Sequence, residues 1–302
     1  MGARGRLGGW GPDPSGLVAL LCLAPACTEP RPSCPPDEAL ATPVSPFTIE
    51  PLAADAPEGL RMVFSRRVEV FGLEVLATEG VSEAKQLHAA HVLAEYLDND
   101  EDGVVDDPMV GDQLASTHAT MVMFCTEAEA EWGFDHLFEA LDDRPLQDLY
   151  ASETHPGSLD AADFDATLEE TLNLVTHAGW AQVYPGDWGE APGSAVADAM
   201  DLARGGRFLE IPGRYPAGSW YHYDDPTCDY GCMVTEYVYW SLTSLLGAQS
   251  ADPERCADIS VEWEACSPQA LQAMDPGVWH LLTNDTYAVP STLPDGRYRE
   301  GE

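Results

Sequence analysis

The chain has 302 residues, of which 52 are acidic and 14 basic, for a formal net charge of −38. So negative a surface repels phosphate backbones and anionic membrane surfaces, which argues against nucleic acid as a partner. The acidic residues are scattered rather than gathered in a tail, as in a surface adapted to salty surroundings or one that stores cations.

The first segment places Arg4 and Arg6 ahead of an apolar stretch, Leu17 to Leu23, that runs into Ala24-Pro25-Ala26-Cys27. That order is the layout of a secretory signal over residues 1–26. Small residues just before a cysteine resemble a bacterial lipobox, and the resemblance implies that Cys27 carries a lipid as the mature first residue. It further implies an exported protein of the bacterial cell envelope, an outer-membrane lipoprotein held to the membrane by its lipid, with plain secretion as the alternative. The apolar stretch falls well short of the roughly 20 residues that span a bilayer. Residues 27–47, rich in Pro and in small and acidic residues, read as a tether. Residues 48–302 read as one globular domain, since no second linker of that composition follows.

Within that domain, Leu60 to Ala77 predicts two short strands or a hairpin, broken at Arg66-Arg67. Ser82 to Leu97 has helical spacing, with Val81, Ala89, Val92, Leu93, Tyr96 and Leu97 in one apolar stripe. His88, His91 and Glu95 share a different face of that helix, which is expected to lie in solvent, a metal site or cleft wall being the alternative. A short helix is predicted over Met109 to Ser116, a buried strand over Ala119 to Cys125, and a helix over Glu127 to Leu141. Phe164 to Ala178 predicts a helix terminated by Gly179. Val196 to Arg204 predicts another, Arg207 to Ile211 a short strand, and Cys232 to Leu246 a helix stopped by Gly247. From Ala251 onward Pro and Gly recur, predicting irregular structure with short helices. The sum is an α+β domain dominated by helices.

The first helix delivers the chain into Asp98-Asn99-Asp100-Glu101-Asp102-Gly103-Val104-Val105-Asp106-Asp107-Pro108-Met109. This segment resembles an EF-hand loop. Asp98, Asp100 and Asp102 stand at its alternating oxygen positions, Gly103 at its sharp turn, Val104 where a carbonyl is offered, and Asp106 at the ninth place. The resemblance implies bound Ca2+. Met109 departs from it at the twelfth place, where the family carries a bidentate glutamate. The ion must then recruit Asp107, water or a distant side chain, and a lone loop of this kind suits a structural staple better than a sensor.

A second candidate site rests on helix geometry and burial. A 100° step per residue puts Glu170, Asn173 and His177 on one helical face, opposite Leu168, Leu172 and Val175. Glu236 is the single charge on an otherwise apolar helix, and a buried carboxylate needs a cation, a metal or a raised pKa. His177, His222 and Glu236 are therefore expected as Zn2+ ligands, with Glu170 polarising a bound water as in a metal-assisted hydrolase. The set is faintly similar to zincin peptidases but lacks their His-Glu-x-x-His pattern. The rival for Glu236 is a structural glutamate held by hydrogen bonds. The many tyrosines around it are expected in the core.

Beyond Cys22 and Cys27, the cysteines are Cys34, Cys125, Cys228, Cys232, Cys256 and Cys266, an even number in an exported chain. They predict three disulfides, with Cys228 to Cys232 and Cys256 to Cys266 as the local pairings, and zinc on Cys228 and Cys232 as the rival. Two functional readings follow. One is an exported calcium-binding lipoprotein, its calcium structural, that engages a partner protein or small ligand. The other is a zinc-dependent, peptidase-like hydrolase.

Overall fold

Strands β2 (Arg66–Val70) and β3 (Leu73–Ala77) pair antiparallel, Val70 opposite Leu73, and leave Phe71 and Gly72 as the turn. Phe71 has φ +49° and Gly72 φ +85°, the doubly left-handed turn whose twist matches that of paired strands. The computed structural model describes residues 30–35, 40–137 and 144–301, so the signal stretch and Cys27 lie outside the described residues. The start of the expected strand region is instead helix α1 (Glu58–Val63), because Leu60 and Val63, three residues apart, share one face and are both buried.

The sheet has the order β1-β2-β3-β4-β5, with β1 (Glu50–Pro51) antiparallel to β2. β4 (Thr120–Phe124) and β5 (Leu146–Tyr150) continue it in parallel. Parallel neighbours need crossovers. Helices α2 (Glu83–Leu97) and α3 (Pro108–Ser116) make the first, and α4 (Glu127–Leu137) lies in the second.

Both faces of the sheet are covered. Met121 and Met123 of β4 face the main core, while Val122 and Phe124 join Leu60, Val63 and Ala130 on the other side. A strand buried on both faces reads as a continuous apolar run, and the β4 sequence TMVMF does.

The remaining helices are α5 (Thr167–Leu174), a widened turn at Val175–Trp180, α6 (Ala181–Val183), α7 (Ala195–Ala203), α8 (Tyr230–Leu245), α9 (Pro253–Ile259), α10 (Pro268–Met274) and α11 (Pro276–Leu282). Gly179 does not end its helix as expected. It is a contact point against α3, where a Cβ would sit 2.8 Å from Val110 Cγ1. Gly247 does end α8, at φ +84°. Arg207 to Ile211 is not a strand: Arg207 pairs with Asp198 and Asp201, and Arg204 donates to the Phe208 carbonyl, so this backbone folds onto α7 instead of joining the sheet.

Among the described residues, three disulfides close the structure: Cys34–Cys125, Cys228–Cys232 and Cys256–Cys266. The two local pairs are those expected, and the Cys228 and Cys232 sulfurs are bonded to each other rather than free for zinc. Among the described residues, no helix is long and apolar enough to cross a membrane.

Candidate metal centre

The carboxylate-rich loop joins α2 to α3, and its acidic side chains organise its own backbone. Asp98, fully buried at the end of α2, accepts from the Asp102 and Gly103 amides at 3.2 and 2.8 Å. Asp102 accepts from the Val104 amide at 2.9 Å, and Asp106 from the Asn99 amide at 2.8 Å. The Asp106 amide donates to the Leu97 carbonyl at 2.8 Å and so closes the loop. Gly103 has φ +89°, and a Cβ there would lie 3.0 Å from Glu300 Cγ, so both backbone and space call for glycine.

This folding brings carboxylate oxygens of Asp98, Asp100 and Asp106 within 4.8 Å of one another. Asp102 is not in that group, and the Val104 side chain is exposed. Burial pushes the Asp106 carboxyl upward, and the neighbouring Asp100, Asp98 and Asp102 add to the effect. Asp107 does not replace the missing twelfth carboxylate. It caps α3 through the Met109 and Val110 amides and accepts from the Tyr184 hydroxyl at 2.7 Å, while Met109 is 56% exposed. The carboxylate beside the loop comes from far along the chain. Glu300 Oε1 lies 3.1 Å from the Cβ position of Gly103.

Residues 291–301 bind this loop and the helix before it. The Tyr298 hydroxyl donates to Asp98 Oδ2 at 2.5 Å. Glu95 accepts from the Gly296 and Arg297 amides at 2.9 and 2.7 Å, and Glu101 from the Arg299 amide at 3.1 Å. The Asn99 side chain accepts from the Ser291 and Thr292 amides. Consequently His88, His91 and Glu95 are not the solvent face expected of them: they are 4, 0 and 4% exposed beneath this segment. Gly296 is needed there, since a Cβ would fall 2.1 Å from His88 Nδ1. His88 Nε2 meets Asp165 Oδ2 at 2.5 Å. Burial, with the His88 charge adding to it, pushes the His91 imidazole down to about 4, and burial raises the Glu95 carboxyl to about 7.

The expected zinc set does not assemble. His177 lies in the widened turn, half exposed, with Nδ1 2.8 Å from Glu190, which also accepts from the Thr235 hydroxyl at 2.8 Å. His222 packs beside the Tyr215 ring at 5.4 Å between centroids. Among the described residues, neither histidine belongs to a group of three or more ligand residues whose atoms converge within 4.8 Å. The physical reason is that Glu236 sits deep inside the α5–α8 contact, while His177 is drawn outward by Glu190. The other convergent group, Cys34, Cys125 and Glu129, is occupied by its own bonds. Its sulfurs form a disulfide, and Glu129 accepts from Arg31, Thr78 and the Cys125 amide.

Glu170 and Glu236 do share one region, with partners the sequence did not disclose. Gln147 of β5 donates to Glu170 Oε2 at 2.5 Å, and Asn173 donates to Glu236 Oε1 at 3.3 Å. Glu169, the neighbour of Glu170, lies near enough to Glu236 for each carboxyl to affect the other's titration. Burial raises all three carboxyls, Glu169 to about 7. The surrounding Tyr221, Tyr223, Tyr237 and Tyr239 are buried core, as expected. Comparison with known proteins finds no matching family model, no matching curated protein and no matching solved structure.

Proposed function

We propose that this chain is an exported calcium-binding protein, lipid-anchored through Cys27, in which the ion is structural and fastens the α2–α3 junction to residues 295–301. The observation that carries this reading is the approach of the Asp98, Asp100 and Asp106 oxygens to within 4.8 Å of one another. Carboxylates that close repel unless a cation lies between them. A hard-oxygen set beside a glycine turn suits calcium, whose flexible coordination accepts waters in place of a twelfth-position glutamate. Glu300, whose side chain lies against Gly103, offers a further carboxylate beside the loop.

Three disulfides are consistent with an oxidising compartment, where calcium is also plentiful. With the ion holding the domain together, the acidic surface is left to engage a partner protein or small ligand. His177, His222 and Glu236 share no convergent group among the described residues, which leaves a zinc hydrolase built on them without a ligand set.

The test is thermal melting of the purified chain with calcium and with chelator. Saturating calcium is expected to raise Tm by on the order of 5 °C, and D100N/D106N is expected to abolish the rise. Identical melting curves in the two conditions refute the reading.

A further inference from the structure

We propose that the face formed by α1 and α4 lies against a bilayer of zwitterionic lipid, held there because the chain is fastened to that face four residues after Cys27. The inference rests on the reading of Cys27 as lipid-bearing and adds to it which side of the domain meets the lipid. Arg31 is fastened by three contacts. Its Nε donates to Glu129 Oε1 of α4 at 2.7 Å, and its Nη2 donates to the Val63 carbonyl at the end of α1 at 3.2 Å. Its guanidinium lies over the Trp132 ring of α4, 5.4 Å from the centroid. Three residues further on, Cys34 is bonded to Cys125, just after β4.

Chain length then sets the orientation. Thr28, Glu29 and Pro30 are all that separate Cys27 from Arg31 in the sequence. Four Cα steps reach at most about 14 Å when fully extended. The headgroup layer above the acyl chains takes up about 5–8 Å of that reach. The surface around Arg31 therefore stands at the headgroups, whereas a chain free as far as Phe47 could extend about 70 Å. The side chains of that surface suit the place. Met62 is apolar and 49% exposed, next to the Val63 that Arg31 contacts. Half-buried Trp132 pairs with His136 at 4.3 Å between ring centroids, and tryptophan favours the boundary between lipid and water. Glu58, Glu131 and Asp135, exposed on the same two helices, repel anionic headgroups, so the occupant is zwitterionic.

The experiment places a benzophenone amino acid in place of Met62 or, as the control, of Val261. Val261 is 80% exposed and stands two residues from Trp263 of the main core, across the sheet from α1 and α4. Full-length protein, expressed with its signal segment, is reconstituted into phosphatidylcholine vesicles and irradiated, and its lipid adducts are counted by mass spectrometry. Adducts at position 62 are expected to exceed those at 261 by roughly fivefold. A Gly-Ser insert of about ten residues before Arg31, which leaves the disulfide and the fold untouched, is expected to remove most of that excess, since effective concentration falls with about the 3/2 power of tether length. Failure of the protein to float with the vesicles, as C27A should fail, removes the lipid anchor and with it this orientation. Flotation with equal adducts at the two positions, or an excess at 62 that the insert leaves unchanged, overturns the orientation alone and leaves the anchor standing.

Discussion

Tyr298 donates its hydroxyl to Asp98 Oδ2 at 2.5 Å across 200 residues of sequence. Both groups are buried, and the acceptor is one of the three carboxylates that converge in the loop. Y298F keeps the ring, which stacks on Phe47 at 5.6 Å, and removes only the hydroxyl. It is expected to destabilise the chain by about 1.5–3 kcal/mol, the range for a hydrogen bond to a charged group. Urea unfolding of the variant checks this.

Gly179 tests packing without touching any carboxylate. G179A places a methyl 2.8 Å from Val110 Cγ1 at the contact of the widened turn with α3. Overpacking of this kind costs about 1–3 kcal/mol. Had the glycine been a helix terminator, alanine would have cost little through packing, so unchanged Tm in G179A would contradict the geometry described.

The contribution of Glu153 to stability is expected to fall as pH rises from about 4.5 to 8. Burial raises Glu153 from 4.5 to about 8, with Glu169, Asp148 and Glu127 adding to the rise, and its Oε2 has no partner. The folded chain therefore keeps a proton that the unfolded chain has released, and this contribution is present at low pH and lost with rising pH. E153Q is expected to stabilise the chain at pH 8 by on the order of 2–4 kcal/mol and to flatten the profile above pH 5. Denaturation midpoints across that range measure it.

His91 acts in the opposite direction. Its folded-state value of about 4 lies below the ordinary 6.5. The unfolded chain binds the proton first, so stability from this group is present above pH 6.5 and lost as pH falls toward 4. H91F is expected to leave the midpoint at pH 8 within about 1 kcal/mol of wild type and to improve it at pH 5, as a volume-conserving apolar replacement should.

The disulfides differ in reach. Cys34–Cys125 spans 91 residues and Cys228–Cys232 spans 4. Loop-closure entropy assigns about 4–5 kcal/mol to the long bridge and about 2 kcal/mol to the short one. C34S/C125S should therefore lower the urea midpoint by roughly twice as much as C228S/C232S, and equal losses would contradict the entropic account.

The parts legible in sequence were those whose cause is local. α2, α8 and β4 carry long apolar patterns, and Gly247 ends α8 as its residue type suggests. The loop geometry at Asp98 to Asp106 is local too, because its capping hydrogen bonds run between residues two to seven apart. β5 escaped because Gln147 and Asp148 interrupt its apolar run, and both turn inward to bonded partners. The prolines near the end of the sequence suggested breakage, yet Pro253, Pro268 and Pro276 each stand at the start of a helix, behind Asp252, Ser267 and Asp275 as caps. His88, His91 and Glu95 were misplaced because their cover arrives from residues 295–298, a distance no periodicity reports. The zinc set failed for the converse reason. Helical spacing aligned His177 with Glu170, and Glu190, from outside that helix, decided where the imidazole went.

The segment that covers α2 also fixes an order of events. During synthesis, Asp98 can bind the Gly103 amide as soon as the loop exists, whereas Tyr298, Arg299 and Gly301 become available about two hundred residues later. Contacts so remote in sequence form late. Until then His88, His91 and Glu95 stand uncovered and the loop carboxylates lack their furthest partner. A chain cut before Asp295 would carry the whole acidic loop yet leave α2 without its cover, because the bonds of Tyr298, Arg299 and Gly301 lie beyond the cut.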